Sequence, residues 1–249
     1  MGWLLIDTEN GSKTLGDPRQ IKDKLGLPPI IMNQWGELIS LYNQLFKRDT
    51  VENIIKIDEL EIPQKTVMTT LKNPKLPIDG IVVDTFSELV KKLSRQIQGK
   101  KEKMEWPDYH KLMIKVDKIL EYSNRIPLSM IFNCHSKTEN DDDQRVLRVI
   151  PAIEGGTKKD VGKWFDFVLY TKIAKRKGGA YEYVWVTRRT EKYCQAKDRS
   201  GLLDEEITQE YAHLHQAAKE RGWESIKVLI IGEPGSGKTQ SLETLTVPF

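Results

Sequence analysis

The sequence contains few cysteines, no long apolar run and little excess charge. Its two cysteines, Cys134 and Cys194, lie far apart without CxxC spacing, so we expect reduced thiols rather than a disulfide framework or a zinc site. No apolar run approaches the roughly 20 residues that a membrane helix requires, and the N-terminus has no signal-peptide pattern. These absences predict a cytoplasmic protein without a membrane span.

The charges nearly cancel, because 39 basic residues face 36 acidic ones and leave a net charge of +3. Attraction to a polyanion would therefore have to come from local clusters of basic residues. A chain of 249 residues with 39% hydrophobic content can bury one substantial core. We therefore expect residues 1–249 to form a single α/β domain.

A phosphate-binding motif is present near the C-terminus, with only ten residues after it. An apolar strand at residues 226–231 precedes it and a helix at residues 238–245 is expected to follow, which is the context that such a loop requires. The glycines let backbone N–H groups converge on phosphate oxygens, the lysine neutralises the β and γ phosphates, and the threonine hydroxyl ligates Mg²⁺. The sequence thus predicts ATP and Mg²⁺ as ligands, with these nucleotide contacts: Gly232, Glu233, Pro234, Gly235, Ser236, Gly237, Lys238, Thr239 and Gln240.

Short apolar strands alternate with segments of helical periodicity along the rest of the chain. The predicted helices cover residues 35–46, 86–97, 112–120 and about 205–221, and the predicted strands cover residues 3–6, 81–83, 128–133, 167–173, 181–187 and 226–231. This alternation indicates a central, mostly parallel sheet with helices on both faces. Gly178-Gly179 between two β-rich runs adds an antiparallel hairpin at the edge of the sheet.

Acidic residues at the ends of two predicted strands complete the expected nucleotide site. Asp84 follows the strand at 81–83, where a carboxylate can hold hydrated Mg²⁺ together with Thr239; it is also suited to cap the helix that follows. Glu9, after the first strand, is our choice to orient the attacking water, with Asp7 as the rival. The alternative for Glu9 is a solvated loop carboxylate.

The order of these motifs resembles the ATPase core of RecA-like recombinases. The closer resemblance is to phage RecA-like nucleotide-binding proteins of the Sak-four type, which are small ATPases linked to single-strand annealing and recombination. It is carried by the strand that ends at Asp84 and by three short segments, Ile6-Asp7-Thr8-Glu9-Asn10-Gly11, Asn133-Cys134-His135 and Ala196-Lys197-Asp198-Arg199. The departure is the order, since the phosphate loop comes last. The resemblance therefore implies a circularly permuted RecA-like P-loop NTPase, in which residue 249 would connect to residue 2.

The resemblance also implies roles for residues outside the phosphate loop. By this similarity Glu9 activates water, and His135 is a sensor that feels the γ-phosphate and relays its state to a DNA-facing loop. Lys197 and Arg199 would reach the nucleotide of an adjacent subunit, which implies a homo-oligomeric ring or filament. The protein would then act in the host cytoplasm if a phage encodes it. A polar strand end and a solvated basic turn are the plainer interpretations of these residues.

Two lysine clusters are candidates for binding single-stranded DNA. Lys100, Lys101 and Lys103 lie before Trp106 and Tyr109, whereas Lys158 and Lys159 follow a Gly-Gly pair. The acidic segment at 139–143 is expected to be a solvent loop. These features favour an Mg²⁺-dependent ATPase that binds single-stranded DNA; the alternative is a nucleotide-gated switch or assembly factor that acts on proteins.

Overall fold

A ten-stranded sheet forms the centre of the protein in the computed structural model, which describes residues 2–57, 60–141, 146–175 and 179–245. The strands are β1 (Gly2–Asp7), β2 (Ile30–Ile31), β3 (Phe46–Ile57), β4 (Leu60–Leu71), β5 (Ile78–Asp84), β6 (Ser129–Asp141), β7 (Val146–Pro151), β8 (Phe167–Lys175), β9 (Tyr181–Val186), β10 (Lys197–Asp198), β11 (Glu206–Thr208) and β12 (Lys227–Gly232). The helices are α1 (Pro18–Leu25), α2 (Trp35–Leu45), α3 (Phe86–Gln98), α4 (Trp106–Arg125), α5 (Thr157–Asp160), α6 (Tyr211–Glu220) and α7 (Lys238–Ser241). Short 3₁₀ helices cover Gly11–Leu15, Val161–Trp164 and Leu242–Thr244.

The strand order is β11-β9-β8-β12-β6-β5-β1-β2, with β10 beside β8 and β7 beside the far end of β6. The six strands from β8 to β2 run parallel, and β8 with β9 forms the predicted antiparallel hairpin, to which the short β11 adds an outer strand. The last strand in the chain, β12, therefore occupies the middle of the sheet. This arrangement confirms the predicted mostly parallel sheet with an antiparallel hairpin.

Alternate side chains of the strands pack into two separate apolar cores, one on each face of the sheet. In β1, Leu4 and Ile6 pack with α2, α3 and α4, whereas Trp3 and Leu5 pack on the opposite face with α1 and α6. Successive side chains of a strand point to opposite faces, so a strand with helices on both sides is apolar throughout. The near-uniformly apolar strands of the sequence predicted helices on both faces of the sheet, and the structure has them.

Local capping signals explain where two of the helices begin. Before α1, the Asp17 carboxylate accepts hydrogen bonds from the backbone N–H groups of Arg19 and Gln20, while Pro18 at the first helical position has a backbone angle suited to a helix. Before α3, the Thr85 hydroxyl accepts a hydrogen bond from the Glu88 N–H. The cap of α3 is therefore Thr85 rather than Asp84.

Three predicted elements differ from the structure. The helix expected at about 205–221 begins only at Tyr211, because residues 206–208 pair with β9 and bury Ile207 against the sheet. The helix expected at 238–245 ends at Ser241 and continues as a 3₁₀ turn. The acidic segment at 139–143 is not simply a loop, since residues 139–141 extend β6 and pair with β7.

The long antiparallel hairpin formed by β3 and β4 was not predicted. Its strands pair with each other from Phe46 opposite Leu71 to Ile57 opposite Leu60, and among the described residues they pair with no other strand. Exposed apolar side chains such as Ile54, at 61% exposure, occur along it. Because most of the side chains that the structure describes along β3 and β4 are exposed, the hairpin lacks the strict alternation that reveals strands.

Some predictions fall outside what the structure describes. Gly178, at the predicted hairpin turn, and residues 246–249, which would lead back to β1, are outside the described residues. That residues 1–249 form one domain stays a prediction. Among the described helices, none combines the length and the apolar character needed to span a bilayer.

Candidate active site

A tight loop between β12 and α7 contains the whole predicted phosphate-binding motif. Gly235 and Gly237 have φ angles of 76° and 88°, in the left-handed region that favours glycine. The Lys238 ammonium donates hydrogen bonds to the carbonyl oxygens of Gly232 and Glu233, both at 2.8 Å. The lysine side chain therefore folds along the inside of its own loop, where it is buried.

The base of this loop is packed closely against β8. A Cβ atom on Gly232 would lie 1.7 Å from Oγ1 of Thr171, so a larger residue cannot enter without displacing the strand. Thr171 donates a hydrogen bond to Ser236 Oγ at 2.6 Å, and Ser236 in turn donates to the Glu233 carbonyl at 2.6 Å. Gln209 donates to the Ser236 carbonyl from the other side at 3.2 Å. β8 and the segment between β11 and α6 thus support the loop from two directions.

Asp84, at the end of β5, meets the loop through Thr239. The Thr239 hydroxyl donates a hydrogen bond to Asp84 Oδ2 at 2.7 Å, and the Asn133 amide donates to Oδ1 at 3.1 Å. Burial raises the pKa of Asp84, while these two hydrogen bonds and the charge of Lys238 oppose that rise. Burial also lowers the pKa of Lys238, against the opposing charge of Asp84. The charge of each group therefore opposes the effect of burial on the pKa of the other.

The donor set at this point fits a magnesium ion. Mg²⁺ prefers oxygen ligands and is usually held by one or two protein groups together with waters and substrate phosphates. The Asp84 carboxylate and Thr239 hydroxyl supply such oxygens next to the phosphate loop. In the described part of the protein, Asn133 Oδ1 is buried without a hydrogen-bond partner, so it can accept a hydrogen bond from water around such an ion.

Glu9 lies across the same cleft and is held by two side chains. Its Oε1 atom accepts a hydrogen bond from the Thr85 hydroxyl at 2.6 Å and lies 2.7 Å from His135 Nε2. The hydrogen bond with His135 lowers the pKa of Glu9 most; the Thr85 bond and the charge of Lys238 act in the same direction, and burial opposes them. Glu9 is therefore a carboxylate at neutral pH and can accept a hydrogen bond from water.

Asp7, the rival to Glu9, has a different environment. It is only 1% exposed, and its carboxylate accepts hydrogen bonds from the backbone N–H groups of Glu9, Gly11 and Ser12 at 3.0 to 3.1 Å, together with the Ser12 hydroxyl. Both carboxylate oxygens of Asp7 thus already accept hydrogen bonds from the loop that contains Glu9. This arrangement counts against Asp7 as the group that orients water.

Lys238, Thr239, Asp84, Glu9 and His135 all face one cleft of about 520 Å³ at the carboxyl ends of the parallel strands. It is lined by Glu9, Gly11, Thr14, Asp84, Thr85, His135, Tyr183, Pro234, Gly235, Gly237, Lys238, Thr239 and Gln240. Chain segments that are far apart in sequence thus contribute to a single site.

Several residues of the site had not been singled out as site residues. Thr85 and Asn133 each follow or end an apolar strand, and their polarity at that point was a usable signal, because the carboxyl ends of parallel strands share one edge. Thr171 and Gln209 gave no such signal. Their contacts with Ser236 depend on how β8 and the segment before α6 pack beside the loop.

The predicted DNA-binding lysines lie away from this cleft. Lys101 forms an ion pair with Asp108 at 2.7 Å, and Lys158 forms one with Glu139 at 2.6 Å. The remaining three, Lys100, Lys103 and Lys159, are exposed. Ion pairing leaves Lys101 and Lys158 less available to a phosphate backbone than the sequence indicated.

Lys197 and Arg199 lie near the amino ends of the parallel strands, whereas the phosphate loop lies at their carboxyl ends, because β10 pairs with the first residues of β8. Lys197 donates to the Phe165 carbonyl at 2.6 Å, and burial lowers its pKa. Arg199 donates to the Asp166 carboxylate at 2.8 Å. Neither residue can reach the nucleotide cleft of its own chain, and a role in an adjacent subunit stays a prediction.

A glycine-rich loop in the centre of a parallel sheet, with a lysine, a threonine and an opposing carboxylate, defines a P-loop nucleotide-binding protein. A family model described as an AAA domain matches residues 2–200. The chain belongs to this family of P-loop AAA-type ATPases. The matched residues include Glu9 and Asp84, while the phosphate loop lies beyond them. No curated protein and no solved structure matches the chain.

Proposed function

We propose that this protein is an Mg²⁺-dependent ATPase of the RecA-like kind that uses its nucleotide state to control binding of single-stranded DNA. The ATPase activity is supported above all by the hydrogen bond between Thr239 and Asp84 at 2.7 Å. It lies in the cleft that Lys238 and Glu9 also line. A phosphate loop, an acidic ligand and a second carboxylate are the groups that hydrolysis of a nucleoside triphosphate requires.

In the proposed mechanism the loop glycines direct backbone N–H groups toward the phosphates, and Lys238 exchanges its two carbonyl partners for phosphate oxygens. Thr239 and Asp84 would hold Mg²⁺, which would supply positive charge to offset that of the β and γ phosphates. Glu9 accepts a hydrogen bond from the attacking water and orients it toward the γ-phosphate.

His135 is the proposed link between the nucleotide and the rest of the protein. It lies at the end of the parallel part of β6, opposite Gly232 in the register of the sheet. Its Nε2 atom contacts Glu9, and its backbone N–H donates a hydrogen bond to Ser87 at 2.8 Å. A shift of Glu9 on hydrolysis would therefore be transmitted to His135 and through it to α3 and β6.

The family resemblance supports single-stranded DNA as the partner, in recombination or annealing of the phage type. It also supports a homo-oligomeric ring or filament in which Lys197 and Arg199 approach the nucleotide of the next subunit. The five lysines proposed for DNA contact are Lys100, Lys101, Lys103, Lys158 and Lys159. The second candidate function is a nucleotide-gated switch or assembly factor that acts on proteins, favoured by the ion pairs that occupy Lys101 and Lys158.

The order of the elements supports a circular permutation as part of this proposal. The strand before the phosphate loop, β12, comes last in the chain yet lies between β6 and β8. Reading the strands from β12 through β1, β5 and β6 to β8 follows the order that the RecA-like resemblance implies. The family match, which stops before β12, agrees with a displaced phosphate-loop segment.

The ATPase rate, measured with and without Mg²⁺ and with and without single-stranded DNA, tests this function. We expect turnover that requires Mg²⁺ and rises when single-stranded DNA is added. Turnover that requires Mg²⁺ but is unaffected by DNA, together with no salt-dependent DNA binding, would favour the protein switch. Absence of nucleotide binding would refute both candidates.

A further inference from the structure

A second cleft, of about 840 Å³, lies between α2, α4 and the base of the β3–β4 hairpin. We call it the α2–α4 cleft. Six basic residues and one acidic residue line it, whereas the whole chain has a net charge of only +3. Its lining includes Lys47, Arg48, Lys72, Lys115, Lys118, Glu121 and Arg125. Positive charge is therefore concentrated here far beyond the average of the molecule.

This cleft is distinct from the nucleotide site. The hairpin leads from Leu71 through a short connection to the first residue of β5, and α4 leads from Arg125 to the first residue of β6. The cleft thus lies toward the amino ends of these parallel strands, whereas the phosphate loop lies at their carboxyl ends. The two clefts share no lining residue.

Four of the six cations are not neutralised by an acidic partner in the described part of the chain. Lys72 donates only to a backbone carbonyl, that of Asn43 at 2.6 Å, and Arg48 stacks on an aromatic ring. Lys115 and Lys118, one turn apart on α4, are exposed. The other two are paired, Lys47 with Asp49 at 3.2 Å and Arg125 with Glu121 at 2.6 Å.

The wall of the cleft offers apolar surface between these cations. Ile39 is 40% exposed, and the guanidinium of Arg48 lies 3.4 Å from the centre of the Tyr122 ring. Tyr122 itself is only 6% exposed beneath Arg48, so Ile39 supplies the exposed apolar surface on which a base can pack. The cleft thus combines phosphate-binding cations with an apolar surface for bases.

We propose that the α2–α4 cleft binds the sugar-phosphate backbone of a single-stranded nucleic acid. A concave surface with cations on its walls can enclose one strand, whereas a duplex is a rigid rod that carries its phosphates on the outside. An acidic peptide would use the same cations but has no bases for the apolar wall. The proposal rests on the proposed function for its class of ligand, and it names a site that differs from the lysine clusters of the sequence.

The test is binding of a labelled oligothymidylate of roughly 20 nucleotides to the full chain at several salt concentrations, without nucleotide. The triple variant Arg48→Gln/Lys115→Gln/Lys118→Gln should bind at least about tenfold more weakly than the wild type. The slope of log K against log salt concentration should become shallower by about two units, since each lost phosphate contact on a single strand contributes about 0.7.

The matched control removes the same charge from the other face of the sheet. Arg19→Gln/Lys22→Gln/Lys219→Gln alters one exposed arginine and two exposed lysines on α1 and α6. Its affinity and salt slope should remain at the wild-type values. The basal ATPase rate of both variants, which change no residue of the nucleotide cleft, reports whether they are folded.

Other outcomes separate this proposal from the proposed function. If the cleft variant binds like the control while Lys100→Gln/Lys101→Gln/Lys103→Gln loses affinity, the cleft proposal is wrong and the DNA-binding function stands. If the wild type shows no salt-dependent binding of the oligonucleotide, both are wrong. Equal competition by polyglutamate or by duplex DNA would overturn the choice of a single-stranded nucleic acid for this cleft.

Discussion

The hydroxyl of Thr239 donates a hydrogen bond to the carboxylate of Asp84 at 2.7 Å, although 155 residues separate the two in the chain. The contact joins the helix after the phosphate loop to the carboxyl end of β5. It places a hydroxyl oxygen and a carboxylate oxygen beside Lys238, within the cleft that also contains Glu9. The proposed chemistry depends on this relationship.

Asp84→Asn should lower the Mg²⁺-dependent turnover rate about 100-fold or more, because a neutral amide is a poor Mg²⁺ ligand. The substitution is nearly isosteric at a buried position where burial already disfavours the charge, so the fold should persist. Rates measured over a range of Mg²⁺ concentrations, with circular dichroism as the folding control, would check this. Wild-type activity in the variant would remove Asp84 from the metal site.

Lys238→Ala should abolish nucleotide binding, because the only ammonium that lines the described cleft is lost. Binding of a fluorescent ATP analogue measures the effect directly. Lys219→Ala, an exposed position on α6, is the matched control and should bind as the wild type does. Retained affinity in the Lys238 variant would contradict the proposed phosphate site.

Glu9→Gln should preserve nucleotide binding and lower hydrolysis by about 100-fold or more, since the amide keeps the hydrogen bond from Thr85 but is a much weaker acceptor for water. Single-turnover rates separate binding from chemistry. Normal turnover would transfer the catalytic role to another residue.

Asp7→Asn is the contrasting variant, because Asp7 binds its own loop. It should lower the melting temperature, since one carboxylate oxygen that now accepts from N–H and O–H donors becomes a donor itself. A variant that melts like the wild type but does not hydrolyse ATP would restore Asp7 as the rival to Glu9.

Gly232→Ala should destabilise the protein by about 1–3 kcal/mol, because the added methyl group meets the Thr171 side chain at 1.7 Å. Gly36→Ala is the matched control. Nothing lies within 4 Å of a Cβ at Gly36, which is in α2, so alanine there should stabilise by about 0.5–1 kcal/mol. Chemical denaturation should show a lower free energy of unfolding for the Gly232 variant and a higher one for the Gly36 variant. A Gly232 variant as stable as the wild type would contradict the close packing of the loop.

Lys227 should make stability rise with pH. It is 5% exposed and donates to the carbonyls of Ile126 and Leu128, and burial lowers its pKa to about 8, with the charge of Asp166 opposing. Its pKa in the unfolded chain is near 10.5. Between these values the unfolded chain binds more protons, so this residue increases the free energy of unfolding as the pH rises.

The measurement is the difference in unfolding free energy between the wild type and Lys227→Met, from pH 7 to pH 9.5. The difference should be constant below pH 8 and then change by about 1–2 kcal/mol in favour of the wild type. Lys219→Met, at an exposed lysine, should show no such change. A flat difference for Lys227 would mean that its pKa is not lowered by burial.

The sequence determined the fold class and indicated the centre of the candidate site through local signals. The loop from Gly232 to Thr239 needs glycines at defined positions, and the apolar strands need a sheet that is covered on both sides, so both were recognisable without coordinates. Glu9 and Asp84 were chosen as candidate site residues for a similar reason, and the structure places both in one cleft. Each is an acidic residue at the end of an apolar strand, and parallel strands bring their carboxyl ends to one edge.

Only the tertiary structure showed which side chains support the phosphate loop. It also corrected elements that local sequence patterns had assigned wrongly. Thr171 and Gln209 reach Ser236 only because β8 and the segment before α6 pack beside the loop. Residues 206–208 form a strand because β9 offers them backbone partners. The α2–α4 cleft likewise joins cations from β3, from α4 and from Lys72, which follows β4. Spacing along the chain encodes local geometry, whereas these contacts arise only when distant segments pack together.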